Sequence, residues 1–253
     1  MTNQIQSSKS KKIMTHIIIG FPSLKKSEEL IDSMAKSGIS MIELQIPFTD
    51  SLADGPVISK ACEKALSNGV KVSDSFKLMK KVSDKYPNVN FYFMTYYNII
   101  FNYGVDKFCK IAKKSGAKGL IVPDIPIDEE KNEKYYVSCK KNSIDPIFVV
   151  SPITPEKRLK EISKYAKGFL YCTSTTGTTG VREKINPKLK SYIKLLRKIF
   201  KMEIAVGFGI STKEHVKEVH KYADIAVIGS AVIKLIQDKF DVDKAERFIK
   251  NLK

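Results

Sequence analysis

Eight short β-rich apolar runs recur along the chain, each followed by a longer amphipathic segment. The runs cover residues 13–19, 40–46, 90–95, 119–122, 146–150, 168–172, 203–206 and 225–228. Between them lie helical patterns. Val57, Ile58, Ala61, Cys62, Ala65 and Leu66 form one buried stripe, and Leu189, Ile193 and Leu196 form another. Gly38, Gly69 and Gly116 stand where three of these helices should end. A strand–helix repeat of roughly 30 residues implies right-handed βαβ units and a parallel sheet. Eight such units use the 253 residues with little left over. That favours one closed (β/α)₈ TIM barrel over an open sheet or two domains. No linker or composition shift divides the chain, so residues 1–253 are read as a single domain. Residues 1–12 are read as a flexible or helical N-terminal extension.

Composition narrows the function classes. Apolar residues make up 43%, with only 13 Gly and 10 Pro, which excludes a disordered or low-complexity chain. Lys and Arg number 44 against 27 Asp and Glu, a formal net charge of +17. Such a surplus invites a nucleic-acid reading. The lysines are dispersed, however, as in Lys107–Lys110 and Lys213–Lys221, and the one tight cluster is residues 8–12 at the terminus. Aromatic residues do not interleave with them as a stacking platform would require. The charge is therefore read as solvated helix faces that also attract an anionic small molecule, with neither nucleic acid nor membrane as partner. No apolar run approaches a membrane span or a signal peptide. Cys62, Cys109, Cys139 and Cys172 form no CxxC pair and have no His at ligand spacing. A reduced, cytoplasmic protein without a metal site is expected.

Active sites of such barrels gather at the C-terminal ends of the strands. After the second run comes Glu43-Leu-Gln-Ile-Pro-Phe-Thr-Asp-Ser-Leu-Ala-Asp54-Gly-Pro. Period-two alternation puts Met41, Glu43 and Gln45 on one face, with Ile42, Leu44 and Ile46 packed against helices. Glu43 then points into the barrel near its mouth, where poor solvation raises a carboxyl pKa and suits acid–base work. The bland alternative is an interior Glu paired to a Lys or capped by backbone. Asp54 precedes Gly-Pro and a helix, and on pattern alone a turn or N-cap aspartate is the favoured reading. Three late loops are rich in small residues: 173–180, 207–211 and 229–231. Glycines and helix N-termini there suit a phosphate, and loops seven and eight form the usual phosphate site of this architecture.

The segment from Glu43 to Pro56 resembles the signature of the tryptophan synthase alpha chain family. The similarity extends to Thr95–Gly104, Gly119–Pro126 (GLIVPDIP), Tyr171, Gly177–Gly180, Gly207–Ser211 and Gly229–Ala231. The resemblance implies a lyase of tryptophan biosynthesis that splits indole-3-glycerol phosphate into indole and glyceraldehyde 3-phosphate without a cofactor. Glu43 matches the family's general acid/base, and Asp54 the carboxylate that holds the indole N–H. Tyr171 matches a site-lining tyrosine, and Tyr96 lies in a segment that in this family walls the indole pocket. Gly180, Gly209, Gly229 and Ser230 match the phosphate cradle, with Phe208 beside them, and Thr179 matches a lid threonine that meets Asp54 on closure. The implied partner is a beta chain in an αββα heterotetramer, which alone carries pyridoxal phosphate. A stand-alone lyase, and a degenerate chain that only activates a beta subunit, are the alternatives. Departures from the family pattern at Gln45, Ser51 and Thr175 motivate the second of these. Gln45 replaces a usual glycine and is expected to crowd the mouth. Ser51 and Ile99 replace prolines, Thr175 replaces a frequent arginine, and His16 stands where an aromatic is common.

Overall fold

The computed structural model describes residues 11–173, 189–207 and 209–253. Nine strands run through them: β1 (Lys12–Ile18), β2 (Met41–Gln45), β3 (Asn90–Met94), β4 (Gly119–Ile121), β5 (Asp145–Ile147), β6 (Val149–Val150), β7 (Phe169–Thr173), β8 (Glu203–Gly207) and β9 (Ile225–Ile228). Their bounds fall within one residue of the expected runs. Mainly apolar runs of this length suit strands covered on both faces, which parallel sheets require. Lys12, assigned by the sequence to the extension, instead opens β1 and pairs with Ile225.

Every pairing is parallel, in the order β5-β4-β3-β2-β1-β9-β8-β7-β6. The two ends of that order belong to one stretch of chain. Phe148 interrupts the fifth expected strand, splitting it into β5 and β6, and its carbonyl accepts a bond from Tyr171 N at 2.9 Å. The stretch 145–150 thus joins both edges, and the sheet closes into the expected TIM barrel.

Side-chain alternation divides the apolar residues into two bodies. Inside the barrel lie Met14, Met41, Tyr92, Phe169, Ile225 and Val227, among others. Tyr92 and Phe169 meet edge-on there, with centroids 5.1 Å apart. Outside, Ile42, Leu44, Phe93 and Leu170 pack against helix residues such as Leu30, Met79 and Ile233. The helix Pro56–Ser67 buries Ile58, Ala61, Cys62 and Ala65, and the helix Leu189–Ile199 buries Leu189, Tyr192, Ile193 and Leu196, the stripes read from spacing. Gly38, Gly69 and Gly116 end helices with positive φ. Among the described residues, no helix is long and apolar enough to cross a membrane.

Candidate active site

The strand ends assemble the site. Glu43, third residue of β2, faces inward with Met41 and is 3% exposed. Its neighbour is neither a Lys nor backbone. In the β1–β2 register His16 stands directly opposite Glu43, and His16 Nδ1 lies 3.2 Å from Glu43 Oε1. The other oxygen, Oε2, and the other imidazole nitrogen, Nε2, are buried without a hydrogen-bond partner among the described residues. Burial pulls the His16 pKa down, but the charge and hydrogen bond of Glu43 outweigh it, with smaller contributions from Asp54 and Gln45. The net position is above the ordinary histidine value.

Asp54 lies in the loop between β2 and the helix Pro56–Ser67. Gly55, not Asp54, is the N-cap of that helix, and Pro56 fills its first position. Asp54 N does close a turn onto Ser51 O at 3.0 Å. Its carboxylate is engaged elsewhere. Oδ2 accepts from Gln45 Nε2 at 2.6 Å and from Tyr96 Oη at 2.9 Å. Burial raises the Asp54 pKa chiefly, assisted by the Glu43 charge and opposed by Gln45, His16 and Tyr96. Asp54 therefore closes a turn through its backbone while its carboxylate is held as an aimed acceptor by Gln45 and Tyr96.

His16, Glu43 and Asp54 share one cavity of about 640 Å³, counted out to the solvent at its mouth. Its lining is mainly apolar, with Ile58, Ile121, Val149 and Val227 among the residues. Gly209, Gly229 and Ser230 also line it. Gly209 has φ +86°, a conformation that costs a residue with a Cβ about 1–2 kcal/mol. Ser230 opens the helix Ser230–Gln237, whose N-cap, Gly229, offers no side chain to its first N–H groups. No Lys or Arg lines the cavity among the described residues. An anion at this end would be met by backbone N–H groups and the helix dipole.

Tyr171 lines the same cavity, and a Cβ on Gly207 would collide with its ring. Burial, with the Glu43 and Asp54 charges, keeps its phenol neutral. Tyr96 departs from expectation. It is 1% exposed and does not line the cavity; its hydroxyl accepts from Ala53 N at 3.2 Å while donating to Asp54. It stacks on Phe48, one layer behind the site. Gln45 corrects a second expectation, since it is fully buried and bonded instead of crowding the mouth. It also reaches Cys62 Sγ at 3.5 Å. Thr179, Gly180, Phe208 and Thr175 lie outside the described residues. What the sequence left unrecognised is the pairing of His16 with Glu43. The departure at His16 was its signal, but the register that joins the two strands is written in neither.

Comparison with known proteins gives one answer. The family profile described as tryptophan synthase alpha chain matches residues 2–253. A tryptophan synthase alpha chain from Petrotoga mobilis is 42% identical over 249 residues, covering 96% of this chain and 95% of the relative. Among solved structures, a variant tryptophan synthase alpha subunit from Pyrococcus furiosus superposes with a TM-score of 0.88 at 31% identity. That match covers 96% of this chain and 98% of the other. A chain of Mycobacterium tuberculosis tryptophan synthase gives 0.88 at 27% identity, covering 96% and 91%. The chain belongs to the tryptophan synthase alpha chain family, as a lyase of tryptophan biosynthesis built on that family's TIM barrel.

Proposed function

We propose that this cavity cleaves indole-3-glycerol phosphate to indole and glyceraldehyde 3-phosphate, with Glu43 as general acid/base and Asp54 as the acceptor for the indole N–H. The observation that carries the reading is Glu43 lining an apolar cleft, its Oε2 buried and without a partner among the described residues, with the uncapped helix N-terminus at Gly229 and Ser230 in the same lining. A flat apolar ring fits between Ile58, Ile121 and Val149, and a phosphate fits at Gly209, Gly229 and Ser230. Protonation of the ring carbon that bears the side chain turns the indole into an electron sink. Removal of the adjacent hydroxyl proton then lets the carbon–carbon bond break, with its electrons returning to the ring. Positive charge develops on the indole nitrogen, and Asp54 stands ready to stabilise it more than the neutral ground state. Tyr171 walls the ring, and Tyr96 acts through Asp54. Thr179, Gly180 and Phe208 are assigned from the resemblance as lid and phosphate-end contacts.

The step needs only proton transfers, so this chain uses no cofactor of its own. The partner is a tryptophan synthase beta chain, which receives the indole and holds the pyridoxal phosphate, in an αββα assembly. The family, and the likeness to a chain of an intact tryptophan synthase, support that partner. Four buried cysteines, all free, support a reducing cytoplasmic setting. The test is release of glyceraldehyde 3-phosphate from indole-3-glycerol phosphate, with and without a beta chain. Release that a beta chain increases supports this reading. Release that a beta chain leaves unchanged supports a stand-alone lyase, and no release in either case would leave a chain that only activates its partner.

A further inference from the structure

His16 is a buried titratable group lining the cavity that the reaction above does not use. It sits on β1 in the centre of the sheet, 7% exposed, opposite Glu43 in register. Register partners on adjacent parallel strands present their side chains to the same side, about 4.8 Å apart. Packing there could be supplied by any aromatic ring. What an imidazole adds is the contact of Nδ1 with Glu43 Oε1 at 3.2 Å. That contact occupies one oxygen of a carboxylate that lines the cavity and leaves Oε2 as the one without a partner among the described residues.

Resting on the lyase reading, we propose that His16 is a positioning residue for Glu43: its Nδ1–H selects the carboxylate oxygen that faces the substrate, and the imidazole–carboxylate pair together holds the single proton that the cleavage borrows and returns. The bookkeeping closes. The pair gives its proton to the ring carbon, forming a C–H bond. It then takes the proton of the hydroxyl, whose oxygen becomes the aldehyde carbonyl as the carbon–carbon bond breaks. The pair ends with the proton count with which it began.

Surroundings favour that arrangement. Glu43 from β2, Asp54 from the following loop and the neutral Tyr171 phenol from β7 are the titratable groups lining the cavity with His16, and no cation competes among the described residues. Both carboxylates favour imidazolium, and together they overcome the burial that opposes it. From the β9 side, Gly229 packs on His16; a Cβ placed there would stand 3.4 Å from His16 Cβ. The ring is thereby held between the carboxylate and the proposed phosphate loop.

The experiment is a pH profile of kcat and KM for glyceraldehyde 3-phosphate release by the full chain with its beta chain. It compares wild type with His16→Phe, His16→Asn and Glu43→Gln. His16→Phe keeps an aromatic ring of similar size. It should lower kcat about 10–100-fold, leave KM within about twofold, and move the alkaline limb about one pH unit toward acid. A carboxylate alone releases its proton at lower pH than an imidazole–carboxylate pair. His16→Asn, whose amide N–H can replace Nδ1–H, should recover kcat to within about tenfold of wild type while keeping the displaced limb. If His16→Phe matches wild type, or if both variants lose activity with the alkaline limb unmoved, the proposal is overturned. Should His16→Phe fail to fold, the limb of His16→Asn decides. Glu43→Gln is separate: normal turnover in it would overturn the acid/base role of Glu43, and no release by wild type would sink the lyase reading, whatever His16 does.

Discussion

Gln45 Nε2 donates to Asp54 Oδ2 at 2.6 Å, and Gln45 is fully buried while doing so. A residue one would expect to obstruct the site instead orients one of its carboxylates. A hydrogen bond to a charged group contributes about 1.5–3 kcal/mol. Gln45→Met keeps the volume and removes the donor. It should lower kcat about tenfold with KM nearly unchanged, because Asp54 retains only its Tyr96 bond. Steady-state kinetics check this; an unchanged kcat would mean that Tyr96 alone orients Asp54.

Asp54 should trade stability for activity. Its folded pKa is raised, mainly by burial, so the ionised form is less favourable in the folded protein than in the unfolded one. That penalty is fully present above the folded pKa and disappears as pH falls below the unfolded value. Asp54→Asn removes the charge. The variant should lose about 10²–10³-fold in kcat and unfold at or above the wild-type temperature at pH 7. The advantage in Tm should shrink as the pH is lowered through the carboxylate range. Thermal melts from pH 7 to 4 read both sign and trend, and a variant less stable than wild type at pH 7 contradicts the account.

The phosphate end can be tested by charge. Ser230 occupies the first position of its helix, where an acidic side chain suits the helix dipole and leaves the fold intact. In Ser230→Asp a carboxylate meets the substrate phosphate at close range. KM should rise about 10–100-fold with kcat changed far less, and inhibition by inorganic phosphate should weaken in step. A KM equal to wild type would move the phosphate elsewhere.

Much of this architecture is legible in the residues, for identifiable reasons. Strands such as β3 and β9 announce themselves because a strand covered on both faces is nearly all apolar. The inward aim of Glu43 follows from alternation alone, and the glycines at 209 and 229 fall in loops that line the cavity. Contacts between elements are less visible. The pairing of His16 with Glu43 depends on a register between strands 27 residues apart, and the retreat of Tyr96 behind Asp54 depends on where a helix-entry loop lies. The split at Phe148 is likewise a tertiary matter, since the run 146–150 reads as one uninterrupted strand.

The most direct measurement is glyceraldehyde 3-phosphate release from indole-3-glycerol phosphate by Glu43→Gln beside wild type, both with a beta chain and both checked for an unaltered fold. Glutamine preserves the side chain's size and can still meet His16, but it cannot carry and return the proton. The account predicts a loss of at least about 10³-fold in kcat with KM nearly unchanged. Turnover within tenfold of wild type would contradict it.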